Sequence, residues 1–209
     1  MTSFSETFRQ ELDQLMRWRR DVRHFRTDPI EDDLIDRCLA TFNLAPSVGL
    51  SEPWRVVRLN SETARASALA NYEHANTQAL NGYSGDKAKI YANLKLSGMR
   101  DAPVQFAVFC DDETEKGAGL GAGTMPEMRR YSVVAAITQF WLSARAEGLG
   151  VGWVSILDPD RLCQDLNVPD QWSLVGYLCV GWPESDEQTP ELERAGWENR
   201  NLSLPVVER

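Results

Sequence analysis

The chain has 209 residues, 43% of them hydrophobic, which is enough for one domain with a sizeable core. The formal net charge of −9 gives a surface that as a whole repels nucleic acid and anionic membranes. The four cysteines show no zinc-site spacing, no apolar run reaches the ~18 residues of a membrane span, and the polar N-terminus is unlike a signal peptide. We therefore expect one cytoplasmic domain over residues 1–209, with no metal site and no binding to nucleic acid or membranes.

The first predicted element is an amphipathic helix. Its apolar side chains repeat at helical spacing with charges between them: Phe4, Phe8, Leu12, Leu15 and Met16. The helix leads into a loop at Arg19–Arg23. A second helix is predicted to start at Asp28, with Asp28 as the cap, Pro29 in the first helical position and Glu31 completing a capping box.

The rest of the chain is helix-heavy, with four or five strands between helices. Strands are predicted at Trp54–Leu59, Val104–Cys110, Gly152–Leu157 and Ser173–Gly181. Further helices are predicted at 61–82, 84–99 with the break at Gly82, Tyr131–Glu147, and a short one from Asp158-Pro159. This order predicts a mixed α and β protein with one sheet, and it leaves parallel or antiparallel pairing open.

The helix predicted at Tyr131–Glu147 is apolar almost all round and ends at Gly148, a good helix stop. A helix of this kind is buried on every side, and in so small a chain a subunit interface would supply part of the cover. The last stretch, Pro183–Arg209, is polar with little periodicity. We interpret it as an arm that wraps something else.

Three arginines, Arg19, Arg20 and Arg23, lie within five residues of an acidic protein. Guanidinium forks bind phosphate oxygens bidentately and keep their charge, so the cluster favours a phosphate monoester; a solvated charged turn is the alternative. Asp21 lies inside the cluster, and the neighbouring cations are expected to lower its pKa and hold it ionised. Asp21 is then either a simple ion-pair partner or a carboxylate that accepts a proton or a hydroxyl hydrogen bond from a ligand.

The segment Gly148–Ser155 has glycine at Gly148, Gly150 and Gly152, a spacing that lets backbone amides approach a flat ligand closely. Ser155 adds a hydroxyl group. By itself, a tight turn before a buried strand is the plainer explanation of this segment.

The loop Gly117–Ala122 formally matches G-x-G-x-x-A, but residues 111–116 separate it from the preceding strand and Pro126 interrupts the start of the next helix. We interpret it as a flexible loop or lid. His24 and His74 are the only histidines, which disfavours a histidine-based metal site or catalytic triad. Chemistry carried by a bound cofactor is therefore favoured.

Along nearly its whole length the chain resembles the flavin-dependent nitroreductase superfamily. The motifs that carry the resemblance are Arg19-Arg20-Asp21-Val22-Arg23, Pro46-Ser47, Pro53-Trp54, Gly150-Val151-Gly152-Trp153 and Arg200. The resemblance implies an α+β fold with a mainly antiparallel central sheet flanked by helices. It also implies an intertwined homodimer, with FMN at the interface and a C-terminal arm, here about residues 183–209, around the partner.

The resemblance further implies the residues of an FMN site. The arginine motif and Arg200 would hold the phosphate and the ribityl chain, Pro46-Ser47 would face the ring from the other subunit, and Lys95 would make a polar contact to the ring. Gly152–Ser155 would bring backbone to the N5 edge. The implied FMN-binding residues are Arg19, Arg20, Asp21, Val22, Arg23, Pro46, Ser47, Lys95, Gly152, Trp153, Val154, Ser155 and Arg200.

Departures from ordinary nitroreductases narrow the resemblance to one branch. Asp21 stands where they usually have Ser or Thr, and Leu50 and Glu52 stand where they usually have Asn and Gln. The branch with these features breaks reduced FMN apart with O2, giving 5,6-dimethylbenzimidazole for the lower ligand of cobalamin, and erythrose 4-phosphate. Asp21 would be a base or an orienting acceptor, Ser155 would hydrogen-bond the reacting ring edge, and a flavin reductase or another source would supply the reduced FMN.

Two other functions remain open at this point. One is an ordinary NAD(P)H-dependent nitroreductase or flavin reductase, which needs room for a nicotinamide over the flavin. The other is a protein that binds a flavin or a corrinoid without catalysis, in which Asp21 and Ser155 would have no purpose.

Overall fold

The computed structural model describes residues 3–94, 97–201 and 203–209. The helices are α1 (Glu6–Trp18), α2 (Asp32–Ala40), α3 (Glu62–Asn81), α4 (Gly85–Asn93), α5 (Gly98–Asp101), α6 (Met128–Ala146), α7 (Pro159–Asp165) and α8 (Glu191–Arg194). The strands are β1 (Trp54–Arg58), β2 (Val104–Asp111), β3 (Gly150–Val154) and β4 (Trp172–Gly181). Short 3-10 turns lie at Thr41–Leu44 and Val48–Leu50.

The four strands form one antiparallel sheet in the order β1-β2-β4-β3. On β2, Phe106 and Val108 point into one core, whereas Ala107 and Phe109 point into another. The sequence of a strand that is buried on both faces is a continuous apolar run, and such a run predicted β2. The α+β architecture and the antiparallel pairing implied by the resemblance are confirmed.

Helices cover both faces of the sheet. On one face α6 packs with α2 through residues such as Ile137, Phe140 and Ile35. On the other face lie α3, α5 and α7, which contribute Ala68, Met99 and Leu162. None of the described helices combines the length and the apolar character needed to cross a membrane.

The second helix starts later than predicted, at Asp32 rather than near Asp28. The Asp28 carboxylate lies 3.1 Å from Arg26, and Glu31 makes no side-chain capping bond. The carbonyl of Pro29 accepts a hydrogen bond from the indole of Trp182, 153 residues away. The capping motif was wrong because these distant and local partners hold the segment extended.

The single helix predicted at 84–99 is also wrong, since α4 ends at Asn93 and α5 is separate. The amides of Ser97 and Gly98 donate to the carbonyl of Arg23, both at 3.1 Å. A Cβ at Gly98 would lie only 2.8 Å from the ring of Phe25. Contacts with a remote segment therefore end the helix, and local periodicity does not contain them.

Two further differences concern β3 and α6. The predicted strand Gly152–Leu157 is shifted, because β3 runs from Gly150 to Val154 and ends where its pairing with β4 ends. Within one chain α6 is not buried on every side, since Tyr131 and Val134 are 55% and 39% exposed. Its apolar outer face is open in a single chain.

Candidate active site

The arginine segment is attached to the edge of the sheet. After α1 ends at Trp18, the chain runs beside β3, where the Val22 amide donates to the Val151 carbonyl at 3.0 Å. A parallel bridge also pairs Asp21 with Val151. Because β3 is the last strand of the sheet, the segment completes the hydrogen bonding of that edge and is held in one position.

The alternate glycines of β3 make this attachment possible. A Cβ at Gly152 would lie 2.2 Å from the Val22 carbonyl oxygen, and one at Gly150 would lie 2.8 Å from a Val22 methyl group. The glycine spacing therefore admits the arginine segment. The sequence interpretation did not include this role of the glycines, and the approach of backbone to a flat ligand stays a prediction.

Asp21 is fixed at the centre of the site. Its Oδ1 accepts a hydrogen bond from the Trp153 amide at 2.8 Å, and its Oδ2 lies 3.7 Å from Arg23 Nε. The protein around the carboxyl group displaces water and raises its pKa, although part of the side chain remains open to a narrow recess. The hydrogen bond from Trp153 and the nearby arginines lower the pKa without offsetting this effect.

The expected lowering of the Asp21 pKa is therefore wrong. The sequence shows the charged neighbours of a carboxylate, but not how many protein atoms surround it. The charge of Glu191, 170 positions further along the chain, raises the pKa of Asp21 as well.

The three arginines of the motif point in different directions. The guanidinium of Arg19 lies 4.8 Å from the ring centre of Trp141, in a cation–π contact. Arg20 donates from Nε to the Gln188 carbonyl at 2.7 Å and from Nη1 to the Arg19 carbonyl at 2.7 Å. Some of the N–H groups of Arg20 are therefore already bonded to backbone carbonyl oxygens.

The guanidinium of Arg23 lies between two carboxylates, those of Asp21 and Glu191. Burial lowers the pKa of both Arg19 and Arg20, and the charge of Arg200 lowers them further. The predicted late arginine is therefore near enough for its charge to act on Arg19 and Arg20, and its contact with a ligand stays a prediction.

Two recesses meet at Asp21 and Arg23, which line both. The polar recess has a volume of about 310 Å³ and is also lined by Arg20, Val22, His24, Trp141, Arg145 and Asp186. The aromatic recess has a volume of about 210 Å³ and is also lined by Tyr72, Asn76, Tyr91, Trp153, Ser155 and Trp197. One recess is rich in charge and the other in flat apolar surface.

The structure brings most of the predicted site residues together. Asp21, Arg23 and Trp153–Ser155 surround the aromatic recess. Arg20 and Val22 lie at the polar recess, and Gly152 lies beneath the Val22 backbone. Lys95 lies outside the residues that the structure describes.

Pro46 and Ser47 lie elsewhere in the chain. The hydroxyl of Ser47 accepts from the Glu52 amide at 3.1 Å, and the next amide, Val48, donates to Ser132 near the start of α6 at 3.0 Å. Trp141, which contacts the arginine segment, comes nine residues later on α6. At 1.5 Å per residue the two contacts are about 13 Å apart along the helix.

An aromatic wall was missed by the sequence interpretation. The hydroxyl of Tyr91 donates to Asn76 at 2.8 Å, and its ring lies 6.3 Å from that of Trp197. Burial raises the pKa of Tyr72 and Tyr91. Tyr72 and Asn76 have the i, i+4 spacing of one helix face, but nothing local indicates that this face turns toward β3.

A second missed feature is the segment Pro183–Trp197, which we call the strap. It is tied to the site by the Arg20 contact with Gln188, by an ion pair of 2.8 Å between Arg145 and Asp186, and by the pairing of Arg23 with Glu191. The strap lies against its own chain. An arm that reaches a partner would therefore begin after Trp197.

The arrangement suits a ligand with an anionic end and a flat aromatic end. Guanidinium groups offer charge-assisted hydrogen bonds at the polar recess, and the tyrosine and tryptophan rings of the other recess offer stacking surface. Between them lie a fixed carboxylate, Asp21, and a hydroxyl, that of Ser155.

Comparison with known proteins places this fold and site in a class. The family model described as "Nitroreductase family" matches residues 16–182, and the chain belongs to this family. The chain is 52% identical over 206 residues to a 5,6-dimethylbenzimidazole synthase of Rhodospirillum rubrum, an alignment that covers 99% of this chain and 97% of the relative. It is 48% identical over 196 residues to a 5,6-dimethylbenzimidazole synthase of Rhodobacter capsulatus, covering 94% and 95% of the two chains.

A solved structure of oxidised iodotyrosine deiodinase, bound to FMN and 3-iodo-L-tyrosine, superimposes with a TM-score of 0.76. The match covers 95% of this chain and 99% of that one, but at 20% identity it shows the fold alone. The predicted nitroreductase-like fold is confirmed. The predicted resemblance to the 5,6-dimethylbenzimidazole synthase branch, and with it the prediction of an enzyme, is confirmed by the two relatives.

Proposed function

We propose that the chain fragments reduced FMN with O2 to give 5,6-dimethylbenzimidazole and erythrose 4-phosphate. The product base is the lower ligand of cobalamin. The observation that carries the proposal is the meeting of Asp21 and Ser155 at one recess, next to the arginine segment. The high identity to enzymes named for this product supports it.

The residues of the two recesses fit FMN. The polar recess offers Arg20 and Arg23 to a phosphate tail, and the aromatic recess offers flat surface to a tricyclic ring. Asp21 and Arg23, which line both, lie where a sugar chain would join the two ends. Bound reduced FMN would supply both the ring that O2 oxidises and the carbon atoms of the product.

Asp21 is proposed to act as a base at the first ribityl carbon, or to accept a hydrogen bond from a sugar hydroxyl group near that carbon. A carboxylate whose pKa is raised is a stronger base than an ordinary aspartate and remains useful nearer neutral pH. The Trp153 amide holds Oδ1, so Oδ2, which lies 3.7 Å from Arg23 Nε, is the oxygen proposed to face the sugar. Ser155, with the backbone of Gly152–Ser155, is proposed to hydrogen-bond the reacting ring edge.

We also propose a homodimer, because one chain leaves a large apolar surface uncovered. Exposed apolar residues lie on or just before α1 and around the start of α6: Phe4, Phe8, Leu12, Met16, Leu44, Leu50, Leu120 and Tyr131. Several large exposed apolar side chains on neighbouring elements favour an interface. A second copy would bring Pro46 and Ser47 to the ring, and the residues after Trp197 would reach across to the partner.

Lys95 as a ring contact, the cytoplasmic location, and a flavin reductase or other source of reduced FMN stay predictions.

The test is to load the protein anaerobically with one equivalent of reduced FMN, admit air, and separate the products by chromatography. We expect 5,6-dimethylbenzimidazole with loss of flavin. Recovery of intact oxidised FMN would overturn the proposal. Rapid NAD(P)H oxidation with many turnovers for each bound FMN would then favour a nitroreductase or flavin reductase, and tight cobalamin binding would favour a corrinoid-binding protein.

A further inference from the structure

Arg23 carries one positive charge and faces two carboxylates. Its Nε lies 3.7 Å from Asp21 Oδ2 and 3.8 Å from Glu191 Oε2. The Arg23 side chain is only 17% exposed and that of Glu191 26% exposed, so both charges interact through protein as well as water. A phosphate group that binds Arg23 therefore meets a guanidinium whose charge is already more than matched.

The two carboxylates are held very differently. Asp21 is fixed by the Trp153 amide at 2.8 Å, and its backbone is bridged to β3. Glu191 is the first residue of α8, a helix of four residues within the strap. Within the described part of the chain the Glu191 carboxylate accepts no hydrogen bond from backbone, so we expect Glu191, and not Asp21, to move away from Arg23.

Glu191 and a phosphate oxygen would compete for the positive charge of the same guanidinium. In a protein that retains FMN through many turnovers, such a competitor would only weaken retention. Where the flavin is consumed, a phosphorylated sugar must leave the arginines in every turnover. An internal anion that takes over Arg23 makes that departure easier.

We propose that Glu191 is a release residue, which competes with the phosphate group for Arg23 and returns to it when the phosphorylated product leaves. The release role rests on the proposed function. The competition between Glu191 and a phosphate group for Arg23 is a binding property, and it can be measured without catalysis.

The experiment compares Glu191→Gln with the wild-type protein in titrations with inorganic phosphate, ribose 5-phosphate, FMN and riboflavin. We expect the three phosphate-bearing probes to bind about three- to tenfold more tightly to the variant, with slower dissociation of FMN, because a partly buried ion pair no longer competes. Riboflavin, which has no phosphate, is expected to bind both proteins alike.

The matched control is Glu184→Gln. Glu184 lies in the same strap, but its side chain is exposed and lines neither recess. The substitution removes the same charge without freeing Arg23, so we expect phosphate affinities within twofold of the wild type. Glu191→Asp, which keeps the charge but shortens the side chain by about 1.5 Å, is expected to be intermediate.

Equal tightening in Glu191→Gln and Glu184→Gln would overturn the proposal, since it would show a general effect of strap charge. Unchanged phosphate affinity in Glu191→Gln would overturn it as well. So would weaker binding of FMN and riboflavin alike, which would make Glu191 a support of the strap. If the wild-type protein bound no FMN, the proposed function would fail, while inorganic phosphate and ribose 5-phosphate would still test Glu191.

Discussion

The two ends of α6 present different surfaces. Near its C-terminal end the indole of Trp141 donates to the Arg20 carbonyl at 3.2 Å, and arginines, carboxylates and both recesses gather there. Near its N-terminal end Ser132 holds the turn at Val48, and exposed apolar side chains lie beside the charged residues Asp112, Glu127 and Arg130. Leu120 is 74% exposed and Tyr131 55% exposed.

The charged end is assembled within one chain, because long-range hydrogen bonds tie each of its groups to backbone or to an opposite charge. The apolar end offers exposed apolar surface, and its charged residues, among them Arg130 paired with Asp112 at 2.7 Å, line a separate recess. In a single chain the contacts of the arginine segment and of the turn after Ser47 lie about 13 Å apart along α6. For this reason the proposed site takes Pro46-Ser47 from a second copy.

The largest expected effect tests the charged end. Asp21→Asn should reduce formation of 5,6-dimethylbenzimidazole about 100- to 10,000-fold, the usual contribution of a placed acid or base. FMN binding should persist, because an asparagine oxygen can still accept from the Trp153 amide. The products are measured by chromatography after air is admitted to the protein loaded with reduced FMN. Asp28→Asn, at an aspartate paired with Arg26, is the control, and wild-type product yield from Asp21→Asn would exclude this role.

The next effect tests the apolar end. Leu120→Glu should weaken the proposed homodimer on the order of 100-fold, because an interface that buries an unpaired carboxylate costs several kcal/mol. Sedimentation velocity over a range of protein concentrations measures the shift. Leu80→Glu, at a 36% exposed leucine of α3 on the other face of the sheet, should leave the dimer intact. A wild-type protein that is monomeric at all concentrations would mean that the apolar end serves something else.

A third test loosens the attachment of the charged end to the sheet. Gly152→Ala places a methyl group 2.2 Å from the Val22 carbonyl and should destabilise the fold by about 1–3 kcal/mol while displacing Asp21. Thermal unfolding measures the stability, and FMN titration measures the site. Gly82→Ala, at a helix end with ordinary negative φ, should change stability by about 0.5 kcal/mol or less. Wild-type stability in Gly152→Ala would show that the arginine segment can move from β3 without cost.

The smallest effect concerns pH. The carboxyl of Asp21 has a pKa above the ordinary aspartate value, so the active ionised form is lost on acidification at a higher pH than for a free aspartate. In the wild type the single-turnover rate of product formation should fall as the pH is lowered, and the pH profile of Asp21→Asn should show no such fall. The folded state binds this proton more tightly than the unfolded state, so the wild type should lose stability relative to Asp21→Asn as the pH rises through the folded pKa. If the wild-type rate fell only at the pKa of an ordinary aspartate, the result would contradict the desolvation of Asp21.

Local patterns were sufficient for the central elements. The apolar run of β2 and the long helix α6 were predicted within about three residues, because burial on both faces leaves a continuous apolar signal. The capping signal at Asp28 and the helix at 84–99 failed for the opposite reason. Trp182 contacts the first segment and Arg23 contacts the second, and neither contact can be predicted from the residues nearby in the sequence.

The sequence by itself determined the types of residue at the site: the arginine cluster with Asp21, the alternate glycines, Ser155, and a resemblance that two relatives confirm. Only the tertiary structure decided what those residues do to one another. It raised the pKa of Asp21 and assigned the glycines to the Val22 backbone. It also placed Glu191 against Arg23, 168 positions earlier in the chain. Burial and long-range electrostatics depend on atoms brought near by folding, and local spacing does not contain them.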